Sequence, residues 1–180
     1  LASGTTGDFN VAVGGAALAS VNTGDSNTAV GACAMNVNTS GSGSTAVGFN
    51  SLLNSATCSN NTAVGSDAMC GNGTITGPNN VSMGHAALRC LTSGAENTTV
   101  GYYAGLKNST ASGNSFFGIC AGYLTTTGVS NVAIGGNSLD ANTTGACNVA
   151  VGAGAMGLST TDQNTGIGYE ALCDLTTGTC

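Results

Sequence analysis

Eight cysteines, one histidine and eight carboxylates carry most of the reactive chemistry open to this 180-residue chain. The cysteines are Cys33, Cys58, Cys70, Cys90, Cys120, Cys147, Cys173 and Cys180, with no Cys-x-x-Cys pair among them. With His85 as the single imidazole, no set of four tetrahedral ligands at zinc spacing can be written. The acids (Asp8, Asp25, Asp67, Glu96, Asp140, Asp162, Glu170, Asp174) are scattered, so no pair of carboxylates suggests glycosidase-type acid–base work. No G-x-x-x-x-G-K-[ST] phosphate loop is present. The "GGNSLD" stretch at 135–140 is a single passing likeness to a calcium-binding solenoid repeat. The expectation is a protein without catalytic centre, cofactor or metal, in which His85 is exposed and inert.

What must position these residues is unusual. The chain is 41% hydrophobic but only 6% charged, with 30 glycines and one proline. Its apolar residues are mostly Ala and Val, so any core is thin. Arg89 and Lys107 stand alone against eight acids, a net charge of −6, and two cations cannot neutralise a run of phosphates, which argues against nucleic acid as partner. The longest apolar run, "VAVGGAALA", is far short of the roughly 20 residues that cross a bilayer, so no membrane insertion is expected. The first residues, "LASGTTGDFN", have neither a basic region nor an apolar core of a signal peptide. The expectation is a mature chain or a segment of a longer one.

"NTAVG" stands at 27–31 and 61–65, "STAVG" at 44–48, "NVAVG" at 10–14 and 148–152, and "NVAIG" at 131–135. Anchored on the first residue of this motif, units begin at Asn10, Asn27, Ser44, Asn61, Asn80, Asn97, Asn114, Asn131, Asn148 and Asn164, a spacing of 17 broken once by 19 and once by 16. The two extra residues fall in "GNGTITGPN" around Pro78, which reads as a bulging turn. Numbering the slots of each unit from its anchor, slot 5 is always glycine: Gly14, Gly31, Gly48, Gly65, Gly84, Gly101, Gly118, Gly135, Gly152 and Gly168. Slot 4 is Val, Ile, Met or Phe, slot 8 is Ala or Ser, slot 9 is Leu or Met except at Gly105 and Gly122, and slot 14 is Thr or Ser.

Slots 1–5 alternate with strand periodicity. The unit reads as a short strand, a glycine corner, a second short strand through slots 7–10, and a polar turn. Seventeen residues leave no room for an ordinary helix as well. The fold predicted is all-β: one repeat domain spanning 1–180, a parallel β-solenoid of about ten 17-residue coils, each stacked on the next at about 4.8 Å. Slot 4 is expected inside as an aliphatic ladder, slot 8 at a narrow point, slot 5 at a corner needing positive φ, and slot 1 as an asparagine ladder.

The motif resembles the head repeats of YadA-type trimeric autotransporter adhesins, whose "SVAIG"-like strand is followed by a small-residue strand. "NVAIG" at 131–135, and "NTAVG" followed by x-x-A-M or x-x-S-L, carry the likeness over the whole chain. Similar repeats occur in phage tail-fibre shafts. The resemblance implies a left-handed parallel β-roll outside the cell or on a virion, often trimeric.

Placed in slots, the reactive residues take on meaning. Cys70 and Cys90 sit one slot apart on successive coils, within reach of the Cα separation of about 4.4–6.8 Å that a disulfide needs. The other cysteines remain candidates for bridges across the coil, free thiols or links between chains, or small apolar fillers. Phe49, His85, Tyr102 and Tyr169 share slot 6, an outward set of which Phe49, Tyr102 and Tyr169 are candidates for contact with a sister chain or glycan. Phe116, Phe117 and Tyr123 are expected to fill the core where slot 9 became glycine. The slot-14 column is expected to be a turn-stabilising hydroxyl ladder, with an ice-binding column of threonines as a minor alternative. Seven N-x-S/T triplets permit glycosylation without arguing for it. The first and last units look like the others, which predicts either a slice of a longer fibre or end-to-end polymerisation through open edges, with Cys180 near the junction as an intermolecular cross-link. The function expected is that of a structural subunit of an extracellular or virion-surface fibre, partnered by itself as filament or trimer. The alternative is the receptor-, glycan- or matrix-binding head of an adhesin or tail fibre.

Overall fold

The computed structural model describes residues 6–20 and 23–174, and over these the chain is a β-solenoid. Ten three-residue strands follow in order: β1 (Val11–Val13), β2 (Thr28–Val30), β3 (Thr45–Val47), β4 (Thr62–Val64), β5 (Val81–Met83), β6 (Thr98–Val100), β7 (Ser115–Phe117), β8 (Val132–Ile134), β9 (Val149–Val151) and β10 (Thr165–Ile167). They form one parallel sheet in sequence order, slot against the same slot. Nine rung intervals of about 4.8 Å give a rod roughly 43 Å long. Strand β5 keeps the shared register across the 19-residue unit, with Thr62 beside Val81.

The strands face the other way from the sequence expectation. Slot 3, not slot 4, points inward: Ala133 is fully buried while Ile134 is 42% exposed. Ala29, Ala46, Ala63, Phe116 and Ala150 share the inner face, and Val13, Val47, Met83, Phe117 and Ile167 the outer one. In a period-two element a shift of one residue exchanges the faces. The interior is too narrow for a valine ladder. Alanines of slots 3 and 8 fill most of it, with Leu18, Met35, Leu52, Met69, Leu88, Leu139 and Met156 of slot 9. Phe117 is therefore no core residue. Phe116 is, and it replaces the side chains missing at slot 9: a Cβ on Gly122 would lie 2.5 Å from its ring, and one on Gly105 3.2 Å away.

The second strand expected through slots 7–10 is a run of turns instead. The backbone at slots 7 and 9 is left-handed, as at Cys33 (φ 59) and Met35 (φ 49), and slot 17 is too, as at Ser130 (φ 57). Alternation of this kind cannot be extended. The segment still bonds coil to coil, Leu18 N–H to Ala34 O at 3.0 Å and Cys33 N–H to Gly15 O at 2.9 Å.

Slot 5 has the tightest requirement. Its ten glycines have φ between 125 and 142, beyond the left-handed region that other residues visit. A Cβ on Gly135 would meet the Gly152 carbonyl carbon at 2.6 Å, whereas one on Gly136, the next residue, would find nothing nearer than 3.9 Å. Gly135→Ala should therefore lower stability by about 3 kcal/mol or more. Gly136→Ala should leave it unchanged or raise it by about 0.5 kcal/mol. Urea unfolding of the two variants side by side measures the difference.

Candidate functional site

No cavity opens among the described residues, and none of them gathers three or more His, Cys, Asp or Glu side chains able to hold a metal. The features that recur with one geometry on every coil are those that join it to the next.

The slot-1 asparagine is the main one. Its Oδ1 accepts the backbone N–H of the slot-1 residue one coil on: Asn27 N–H reaches Asn10 Oδ1 at 2.9 Å, Asn97 reaches Asn80 at 3.0 Å, Asn131 reaches Asn114 at 2.8 Å and Asn164 reaches Asn148 at 2.9 Å. Its Nδ2 donates to the slot-15 carbonyl in the turn that leads into that rung, as from Asn27 to Gly41 O at 2.8 Å and from Asn114 to Gly128 O at 2.9 Å. Each carboxamide thus grips the next coil at two points. Ser44 keeps only the acceptor half, toward Asn61 N–H at 3.2 Å. At the last rung Asn164 Oδ1 is buried and no donor among the described residues reaches it.

Two further ladders escaped the sequence reading. At slot 16 a side-chain oxygen takes the N–H of the coil before: Asp8 N–H donates to Asp25 at 2.8 Å, Asp25 N–H to Ser42 at 3.0 Å and Ala146 N–H to Asp162 at 2.7 Å. Two of the scattered acids, Asp25 and Asp162, are therefore rung acceptors. Slot 13, not slot 14, carries the hydroxyl ladder, with Thr39 donating to Ala56 O at 2.9 Å and Thr126 to Thr143 O at 3.0 Å. Neither column is uniform in residue type, and only the shared ability of Ser, Thr and Asp to bond backbone would have revealed them. Of the seven N-x-S/T asparagines, Asn38, Asn80, Asn97, Asn108 and Asn142 are buried, leaving Asn60 and Asn72 exposed.

The seven described cysteines are free thiols, so the Cys70–Cys90 bridge expected from spacing is not formed. Cys180 lies outside the described residues. Cys58 occupies a slot-15 glycine position, its sulfur against Ser55 Oγ at 2.9 Å and Asn61 Nδ2 at 3.1 Å. Burial pushes its thiol above the usual value, against those two hydrogen bonds. Burial also pushes Cys70 up, opposed by the Arg89 guanidinium. Cys147 is exposed.

Phe49, Tyr102 and Tyr169 are exposed as expected of slot 6, but they do not meet. Tyr102 instead stacks on His85 of the coil before, ring centres 5.4 Å apart and 17° from parallel. Tyr103 lies 4.0 Å from Tyr102 and 6.2 Å from Tyr123. Slots 7 and 10 thus share a face with slot 6, which the strand expected there had hidden. Tyr123 is half-buried in this group and is not a core filler.

Asn114→Ala leaves the buried Asn131 N–H and the Gly128 carbonyl without their partner and should cost about 3 kcal/mol. Asn114→Ser, which keeps an acceptor as Ser44 does, should cost about half of that, and thermal melts will rank the two. A thiol-reactive probe on the native protein should label Cys147 rapidly and Cys58 last, because a buried thiol with a raised pKa offers little thiolate; peptide mapping of a time course shows the order. The chain matches no protein-family model, and no curated protein or solved structure is significantly similar to it, so its function is argued from the geometry of the coils.

Proposed function

We propose that this chain is a structural rod segment of a fibre at a cell or virion surface, and that its principal partner is a further set of identical coils, from a second copy of itself. The observation that carries this is the asparagine column. One rule of hydrogen bonding repeats from Asn10 to Asn164, so any coil that keeps it can stack on any other. A coil of a second copy placed in the common register receives the same grip through its slot-1 N–H, and its strand pairs in parallel as the strands of successive coils do. The likeness of "NVAIG" and "NTAVG" to adhesin-head and tail-fibre repeats supports the same setting.

The second reading, a ligand-binding head, is favoured by a different observation: the exposed rings of His85, Tyr102 and Tyr103 on the wall of the rod.

Negative-stain electron microscopy of the purified chain tests the stacking reading. Filaments of one rod width, many times the ~43 Å of a single chain, are expected, and Asn164→Ala should shorten them severalfold. Discrete rods of single-chain length at every concentration would overturn the stacking reading. Filaments that vanish in reductant would place exposed cysteines at the junctions.

A further inference from the structure

Both basic residues of the chain, its one histidine and three of its four tyrosines lie on the fifth, sixth and seventh coils. His85 and Arg89 belong to the coil of β5, Tyr102, Tyr103 and Lys107 to that of β6, and Tyr123 to that of β7. The ring contacts already described join His85, Tyr102, Tyr103 and Tyr123 into one continuous surface. The cations lie on the same coils, Lys107 at slot 11 and Arg89 at slot 10, the Arg89 guanidinium reaching Cys70 and Asp67 on the coil before. Arg89 and Tyr123 share slot 10, two coils apart, and the Lys107 N–H donates to the Tyr123 carbonyl at 3.0 Å, which sets Lys107 beside that ring's backbone. Asp67 on the coil before and Asp140 on the coil after close the patch at its two ends. Elsewhere the described wall carries acids and uncharged side chains.

We propose that this patch is a binding platform for a linear acidic oligosaccharide of the uronic-acid type. Ring faces match the C–H faces of pyranose sugars, and phenol and imidazole groups match their hydroxyls. Lys107 supplies the charge-assisted hydrogen bond that a carboxylate prefers. The rod repels an anion along the rest of its length, since the net charge is −6, so this stretch also gains selectivity from what surrounds it. Its shape suits an extended ligand: the ring contacts run along the rod from His85 on the fifth coil to Tyr123 on the seventh. One coil rises about 4.8 Å, close to the advance of one pyranose along an extended polysaccharide, so consecutive sugars fall on consecutive coils. The platform lies on the side wall and functions in a single rod and in a filament alike, so it stands or falls apart from the stacking reading.

The test titrates the full chain with a galacturonic acid tetramer, with maltotetraose as the neutral control. Expected are saturable binding of the acidic tetramer, weakening with added salt, and at least tenfold weaker binding of maltotetraose. Lys107→Ala and Tyr102→Ala should each weaken binding tenfold or more, Lys107→Arg should retain it, and Phe49→Ala, on the coil of β3, should not alter it. In the wild-type chain the imidazole proton resonances of His85, the only histidine, should shift with the same saturation curve, which keeps the test independent of whether a variant folds. Absence of saturable binding, equal binding of the neutral tetramer, or a His85 resonance that does not move would overturn the proposal.

Discussion

The carboxamide of the slot-1 asparagine sets the height and rotation of each coil on the next. Two atoms on one short, stiff side chain bind an N–H and a carbonyl three residues apart, as from Asn114 to Asn131 and Gly128. A slip of one residue breaks both bonds and moves every side chain to the wrong face. The 19-residue unit shows how firmly the grip is kept. Asn61 still accepts from Asn80 N–H at 2.8 Å and donates to Gly77 O at 3.1 Å, so the surplus is taken up before Gly77, where Asn72, Gly73 and Thr74 are exposed. Glycine at slot 5 is the complement of that grip. Two backbones held so close leave no volume for a Cβ, which is why one asparagine column demands one glycine column.

A chain that alternates left- and right-handed residues through slots 7 and 9 bears a local cost at each coil. Leu, Met, Asn and Cys stand in the left-handed region there, at roughly 1 kcal/mol apiece. No single coil can meet that cost from its own thin interior of alanine and one larger side chain. Stacking meets it, because each rung satisfies backbone groups on both neighbours and buries both sides of its small core. Stability of this kind is cooperative along the rod, so loss of one carboxamide is felt beyond the one interface it spans.

The repeat, the strand at slots 2–4, the slot-5 corner and the parallel stacking were legible because each is written in one residue type at one spacing. Which face of the strand lies inside was not. Three residues give one alternation and no more, so Ala133 and Ile134 offer the same pattern read either way, and the preference for large apolar residues in cores pointed to the wrong one. Only the width of the closed coil decides it, and width is a property of the whole turn. The same limit explains slots 7–10: Ala, Leu and Met there suggest a strand, and nothing in a residue such as Met35 announces a φ of 49. The ladders at slots 13 and 16 were hidden by chemical equivalence, since Ser59 and Asp25 do one task with different letters.

Stacking claims the backbone and slots 1 and 5 of every coil, and those slots scarcely vary. The wall at slots 6, 7, 10 and 11 joins coils only locally, as at Asn36, Asn50 and Asn54, and differs from coil to coil. Variation there is not evenly spread. Coils six and seven change inside as well as out: Gly105 and Gly122 remove the slot-9 side chain, and Phe116 enters from the opposite wall to fill the space. The aromatic surface of Tyr102, Tyr103 and Tyr123 stands over the same coils. A rod whose only task were length would gain nothing from departing there from its alanine-and-leucine interior, since any coil that meets the asparagine and glycine rules stacks equally well. Core and wall depart together on coils six and seven, beside Lys107 and one coil beyond Arg89, and the asparagine and glycine columns run through both coils unaltered.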